Sequence, residues 1–264
     1  MPEPSYSAAE DQLVTDLVEL YRTNIPLIRG FLNSFHSHFS ESINEDGPLF
    51  EVVHSVKFRM KDPEHLRGKL FRKLDLARKA GKDFDINTDN VFLKVNDLGG
   101  YRILHLHTRQ AAIIHKVLLE VIERANFDLF EQPFANIWDE EARAFFEGIG
   151  VRADVNPRLY SSVHYVVRAR SRHAVTCEIQ VRTLADEIWG EVDHQINYPE
   201  AHPSVGCREQ IKVLARVASS CSRLVDSIMA SHEEWNSLPS SAPVVETEAP
   251  SKAPTATDSG PSNK

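Results

Sequence analysis

The sequence predicts an α+β fold, because strand-like alternation and helical periodicity fall in separate blocks and helices stand at both ends. Residues 177–182, Cys-Glu-Ile-Gln-Val-Arg, alternate apolar and polar like a half-buried strand. Thr183 can cap the helix that follows, in which Leu184, Ile188, Val192 and Ile196 recur every fourth residue. Leu49 to Phe58 and Tyr101 to His107 read as further strands. A chain of 264 residues, 42% hydrophobic and 26% charged, has the composition of a soluble globular protein.

Composition also excludes several classes. No apolar run approaches the roughly 20 residues of a membrane span, and the acidic start MPEPSYSAAEDQ lacks the apolar core of a secretory signal. Cys177, Cys207 and Cys221 are odd in number and contain no CxxC pair, which favours a reducing, cytoplasmic setting over a disulfide framework or a zinc site. A net charge of −8 argues against general coating of nucleic acid. There is no Walker A sequence, and Gly148-x-Gly150 lacks the rest of a dinucleotide fingerprint. The Glu-x-x-His spacings Glu51–His54 and Glu191–His194 lack the supporting glutamates of a di-iron bundle, and His105 with His107 lacks a third ligand.

In chain order, Ser7 to Ser40 predicts two helices split near Asn24-Ile25-Pro26, with Leu13, Leu17, Leu20 and Tyr21 on one apolar face and Ile28, Phe31, Leu32 and Phe35 on the other. Glu41 to Gly47 reads as a loop. Between Lys57 and Lys82 lie ten Lys or Arg against three acids. Pro63 suits a helix start capped by Asp62, after which Lys69, Arg72 and Lys73 share one face. On spacing alone this is equally a solvated basic helix. Asp97-Leu98-Gly99-Gly100-Tyr101-Arg102 turns the chain into the next strand, where Asp97 serves as a turn former. Arg109 to Asn126 is an amphipathic helix, Phe127 to Phe134 strand-like, and Trp138 to Glu147 helical. Arg158 to Tyr165 alternates, so that Tyr160, Ser162 and His164 share a face. From Ser204 to Trp235 one or two helices carry an apolar stripe of Ile211, Leu214, Val217, Leu224, Val225 and Ile228, a cover for the core or a self-association contact. The Ser-, Pro- and Ala-rich tail reads as disordered.

Four of these segments, in order, resemble the RelA/SpoT-type synthetase domain. EIQVRTLADEIWGEVDH is similar to that domain's closing signature. Arg59-x-Lys61 with Lys69-x-x-Arg72-Lys73 resembles its ATP-holding element, with His65 standing where the family has Ser. The Asp97–Arg102 segment resembles D-[IL]-[AVG]-G-[IVAY]-R. Tyr160-Ser161-Ser162-Val163-His164 resembles G-Y-R-[SA]-[IV]-H, although Ser161 replaces the usual Arg and Leu159 the usual Gly. The customary preceding lysines are missing there, with Arg152 and Arg158 the nearest cations.

The resemblance spans about residues 50–200 and implies a nucleotidyltransferase-like mixed five-stranded sheet flanked by helices. It divides the chain into N-terminal helices (1–48), a synthetase domain (49–200), a C-terminal helical extension (201–236) and a tail (237–264). It implies a stand-alone GTP pyrophosphokinase-like enzyme that moves pyrophosphate from ATP to the 3′-hydroxyl of GDP or GTP and makes (p)ppGpp. In that reading Arg59 stacks on adenine, Lys61, Lys69 and Arg72 grip phosphates, and Arg102 supports them. Asp97 and Glu178 hold Mg²⁺, and Glu178 also orients or deprotonates the hydroxyl. Tyr160 stacks under the acceptor base, while His164 and Gln180 fix the acceptor. The altered Tyr160 segment leaves open a toxin-like relative acting on the tRNA 3′ end or making adenosine alarmones, and a catalytically silent nucleotide-binding scaffold.

Overall fold

A computed structural model of the protein describes residues 6–137, 140–155, 160–170, 175–197 and 202–238. The first helix, α1 (Ala8–Ile43), is held at its start by a capping box between Ser7 and Glu10. It runs unbroken through Pro26, where the sequence predicted two helices. Leu17, Tyr21, Ile28, Phe31 and Phe35 are all buried along one face, and that burial outweighs the lost backbone bond. Strand β1 (Val53–Met60) starts later than expected, because Leu49 and Phe50 close turns with their amides on the carbonyls of Ser42 and Gly47. Helix α2 (Pro63–Lys79) has the expected cap, with Asp62 accepting from the Glu64 and His65 amides. It ends in a Schellman turn on Gly81, whose φ of 63° suits glycine.

The short helix α3 (Val91–Lys94) leads to β2 (Gly99–His105), and α4 (Gln110–Arg124) follows. Next come β3 (Phe127–Leu129), β4 (Phe134–Ile137), α5 (Glu141–Gly148), β5 (Arg152–Val155), β6 (Ser162–Ala169) and β7 (Thr176–Thr183). Helix α6 (Leu184–Asn197) and the long α7 (Val205–Ser237) complete the described chain. The strands form one mixed seven-stranded sheet in the order β1-β2-β7-β6-β4-β5, with β3 on β6, two more than the expected five. Only short strands are involved in the difference: β3 has three residues, and β4 and β5 have four each.

The compact unit spans residues 1–228, and a second unit runs from Met229 onward. The first unit's core lies on one sheet face, where Tyr101, Ile103, Tyr165, Ile179 and Val181 pack under α1 and α4. Phe35 meets Tyr101 edge-on at 5.0 Å, and His115 bonds the Tyr165 hydroxyl at 2.8 Å. Between residues 205 and 228, α7 buries Ile211, Ala215 and Ala218 against Trp189. Val217, Leu224 and Ile228 of the predicted stripe are exposed, so the buried face is rotated from the one predicted. Arg158, Leu159 and the tail from 239 lie outside the described residues. No helix among the described residues is long and apolar enough to cross a membrane.

Candidate active site

Strand register assembles the other face of the sheet. Lys57, Arg102, Gln180, His164 and Phe134 are successive partners across β1, β2, β7, β6 and β4. One step along, Arg59, Gly100 and Glu178 form a second row. Directly paired residues point the same way, so five strands deliver a stripe of cations, an amide, an imidazole and a carboxylate to one surface. Gly99 brings the backbone close to α1: a Cβ there would lie 2.5 Å from Ile28 Cγ2 and 3.1 Å from Cys177 Sγ.

At one end of the stripe Asp97 meets two lysines, Lys69 Nζ at 2.7 Å and Lys61 Nζ at 3.0 Å. Burial pushes its carboxyl up, but the Lys69 and Lys61 ammonium groups prevail and hold its pKa at about 2. Lys61 is nearly fully buried, anchored by its backbone through the Tyr21 hydroxyl. Lys73, one residue beyond Arg72, is half-buried beside this cluster, and burial with the neighbouring Lys69 lowers its pKa. Arg72 is exposed and makes no ion pair or hydrogen bond among the described residues.

In the middle, Glu178 receives His164 Nδ1 at 2.8 Å and Gln180 Nε2 at 2.7 Å. Burial raises its carboxyl, and these two partners outweigh burial, so the group titrates below an ordinary glutamate. The Asp97 charge opposes that lowering, which shows the two carboxylates in electrostatic reach of each other. The His164 ring stacks on Phe134 at 4.9 Å, and its Nε2 meets Ser162 Oγ at 2.6 Å. Asn136 Nδ2 donates to the Tyr160 hydroxyl at 3.1 Å, and the Tyr160 ring stacks on Trp189 at 4.9 Å.

Helix α6 roofs the stripe, a role that sequence reasoning missed. Glu187, Glu191 and His194 lie at i, i+4 and i+7, one helix face. Glu187 binds Lys57 at 2.9 Å and Arg102 at 3.0 Å, and Glu191 also pairs with Arg102. Arg182 Nε lies 2.8 Å from Glu187 Oε2 without hydrogen-bond alignment, so this contact is a charge pair alone. His194 Nε2 lies 2.8 Å from Arg59, and its ring stands edge-on to His65 at 5.6 Å. The signal was the acid and imidazole spacing inside EIWGEVDH, which the strand motif overshadowed.

Of the expected site residues, the structure brings Lys61, Lys69, Asp97, Glu178, Gln180 and His164 onto one surface, with Arg59 and Arg102 under α6 and Tyr160 beside it. Arg72 stands apart. Among the described residues no three His, Cys, Asp or Glu side chains form a self-sufficient metal cluster.

Residues 58–203, more than half of the chain, match the family described as the region found in RelA / SpoT proteins. A comparison with curated proteins returned no match. Among solved structures, the chain is similar to small alarmone synthetase 1 of Bacillus subtilis bound to its product pppGpp, at 18% identity and a TM-score of 0.50, covering 80% of this chain and 93% of that one. A GTP pyrophosphokinase family protein from Streptococcus pneumoniae aligns at 16% identity and a TM-score of 0.53, over 84% of this chain and 95% of that one. Small alarmone synthetase 2 of Bacillus subtilis aligns at 17% identity and a TM-score of 0.53, over 80% and 98%. At these identities the likeness shows a shared α+β fold, and the family match carries the assignment: the chain belongs to the RelA/SpoT family.

Proposed function

We propose that the protein transfers the β,γ-pyrophosphate of ATP to the 3′-hydroxyl of GDP or GTP and releases AMP. One observation carries the reading: the Lys61–Lys69–Asp97 cluster and the His164–Glu178–Gln180 cluster share a sheet face, with their carboxylates in mutual electrostatic reach. The product pppGpp bound in the structure of Bacillus subtilis small alarmone synthetase 1 supports nucleotides as the substrate class.

Chemically, the acceptor 3′-oxygen bonds to the β-phosphorus while the bridge from the α-phosphate to the β-phosphate breaks. Glu178, ionised at neutral pH, accepts the hydroxyl's hydrogen bond and its proton, and His164 and Gln180 hold the carboxylate in place. Lys61 and Lys69 pass from Asp97 to the phosphates and balance charge as it builds on the transferred group. Asp97 and Glu178 would together hold Mg²⁺, since that ion takes one or two carboxylates and completes its shell with phosphate oxygens and water. Bound there, the metal supplies Lewis-acid neutralisation of the phosphates. Arg59 and Arg102 offer flat guanidinium surfaces to a base once α6 yields them, and Tyr160 offers its ring to the acceptor.

The test is product separation from γ-labelled ATP and Mg²⁺, with GDP, GTP, ATP or tRNA as acceptor. Label on the guanosine nucleotide is the expected result, and label on tRNA alone replaces this acceptor assignment. Glu178→Gln should lower transfer at least about a hundredfold while ATP binding is retained. Full turnover by that variant rejects the assigned role.

A further inference from the structure

A cavity lies at the opposite end of the same strands from the Asp97 and Glu178 clusters. β2 and β7 run parallel and finish in register, His105 beside Thr183, and a cavity of about 390 Å³ opens beyond those two residues. Its volume is within the range of about 300–1,000 Å³ of small-ligand sites, and the carboxyl ends of parallel strands are a favoured place for them. None of the residues of the Asp97 and Glu178 clusters lines it.

The walls are chemically distinct. Phe145 and Phe146, whose rings meet edge-on at 5.1 Å, make an apolar side with Ala111 and Val163. Arg109, Arg182 and Arg223 line the polar side with Asp186 and Asp226. Both carboxylates are already engaged. Asp186 bonds Thr183 Oγ1 at 2.7 Å, and Asp226 Oδ1 lies 3.2 Å from both the Arg109 amide and His107 Nδ1. Helices α4 and α6 both begin at this wall and point their positive ends at it beside the three arginine side chains.

His105 supplies an independent sign of a ligand. It is 2% exposed and lines the cavity. Its Nδ1 lies 3.0 Å from the His107 carbonyl, which can only accept, so Nδ1 carries the proton. The other nitrogen of the neutral ring is then an acceptor, and it has no hydrogen-bond partner among the described residues. His105 lines the cavity with this acceptor available, and a bound N–H or O–H group would donate to it.

We infer that this cavity binds a small aromatic anion of mononucleotide size: its charge on the arginine wall, its ring against Phe145 and Phe146, and a proton donor to His105. The site connects to the chemistry through two of its own residues. Ser162 Oγ touches His164, and Arg182 reaches Gln180 Oε1 at 3.4 Å as well as Glu187. An anion that draws Arg182 toward the cavity loosens Gln180 and weakens acceptor binding. This coupling rests on the acceptor reading above, whereas the binding itself does not.

Equilibrium dialysis of labelled AMP and GMP against the full chain tests the inference, with Mg²⁺ and an excess of a non-hydrolysable ATP analogue filling the substrate site. Inorganic phosphate and adenosine serve as the ringless and uncharged controls. Wild type should bind one mononucleotide per chain. Arg223→Ala should weaken it about tenfold, and Ala111→Leu, which fills the cavity, should abolish it, both with wild-type thermal unfolding. Identical isotherms in all three proteins, or phosphate and adenosine each competing as well as AMP, overturn the site. With binding established, the mononucleotide should weaken equilibrium binding of GDP several-fold in wild type and not in Arg223→Ala, and saturating GDP should weaken the mononucleotide by the same factor. An unchanged GDP affinity overturns the coupling, and a protein that binds the mononucleotide but transfers nothing overturns the enzyme reading alone.

Discussion

Asp97 holds two lysine ammonium groups within 3.0 Å, so its charge has a measurable thermodynamic signature. Its folded pKa, about 2, lies below the ordinary value of 3.8, and the stabilisation it brings is therefore complete above pH 4 and fades as pH falls toward 2. Asp97→Asn leaves Lys61 and Lys69 facing each other without a counter-charge. That variant should melt several degrees below wild type at pH 7, and the gap should narrow between pH 4 and 2 in paired melting curves. A gap independent of pH would mean that packing, not charge, sets the cost. The Asp62 cap and the Glu178–Gln180–Arg182 alternation were legible in the sequence because each depends on its immediate neighbours. The choice of Lys73 over Arg72 as the half-buried cation was not, since it depends on how α2 rolls against the sheet.

At the scale of elements, helix α1 rests directly on the backbone of β2. The missing Cβ of Gly99 makes room for Ile28, and Leu32 Cδ1 would lie 3.3 Å from it. Gly99→Ala should cost roughly 1–3 kcal/mol in denaturant unfolding, with part of the loss recovered when Ile28 is trimmed to Ala in the same chain. Simple addition of the two single costs would show that the helix is not what the glycine accommodates. The sequence placed a break at Pro26, a local reading of a helix whose continuity comes from buried Tyr21 on one side and Ile28 on the other. It also left α6 without partners. The face formed by Glu187, Glu191 and His194 was visible as spacing, but its meeting with Lys57, Arg102 and Arg59 depends on the order of strands in the sheet.

Across the whole molecule, buried histidines set an acid limit before the carboxylates do. Burial drops His105 from 6.5 to about 4, and burial also lowers His115 and His194. The unfolded chain takes up these protons near pH 6.5 while the folded chain refuses them. Stability should therefore decline from pH 7 to 4, as read from denaturant midpoints at constant salt, and His115→Gln should flatten part of that slope. A flat profile would show that the protein opens locally to solvate these rings. The parallel pairing of β2 with β7 has a further consequence, for synthesis. The basic segment and Asp97 leave the ribosome long before Glu178, yet their strands become neighbours only when the last strand docks. Closing so long a loop is slow, and until it closes the nascent chain presents an uncovered cationic surface to a cell full of polyanions. The carboxylates of α6 arrive immediately behind β7, so the final strand and the cover for that surface are translated together.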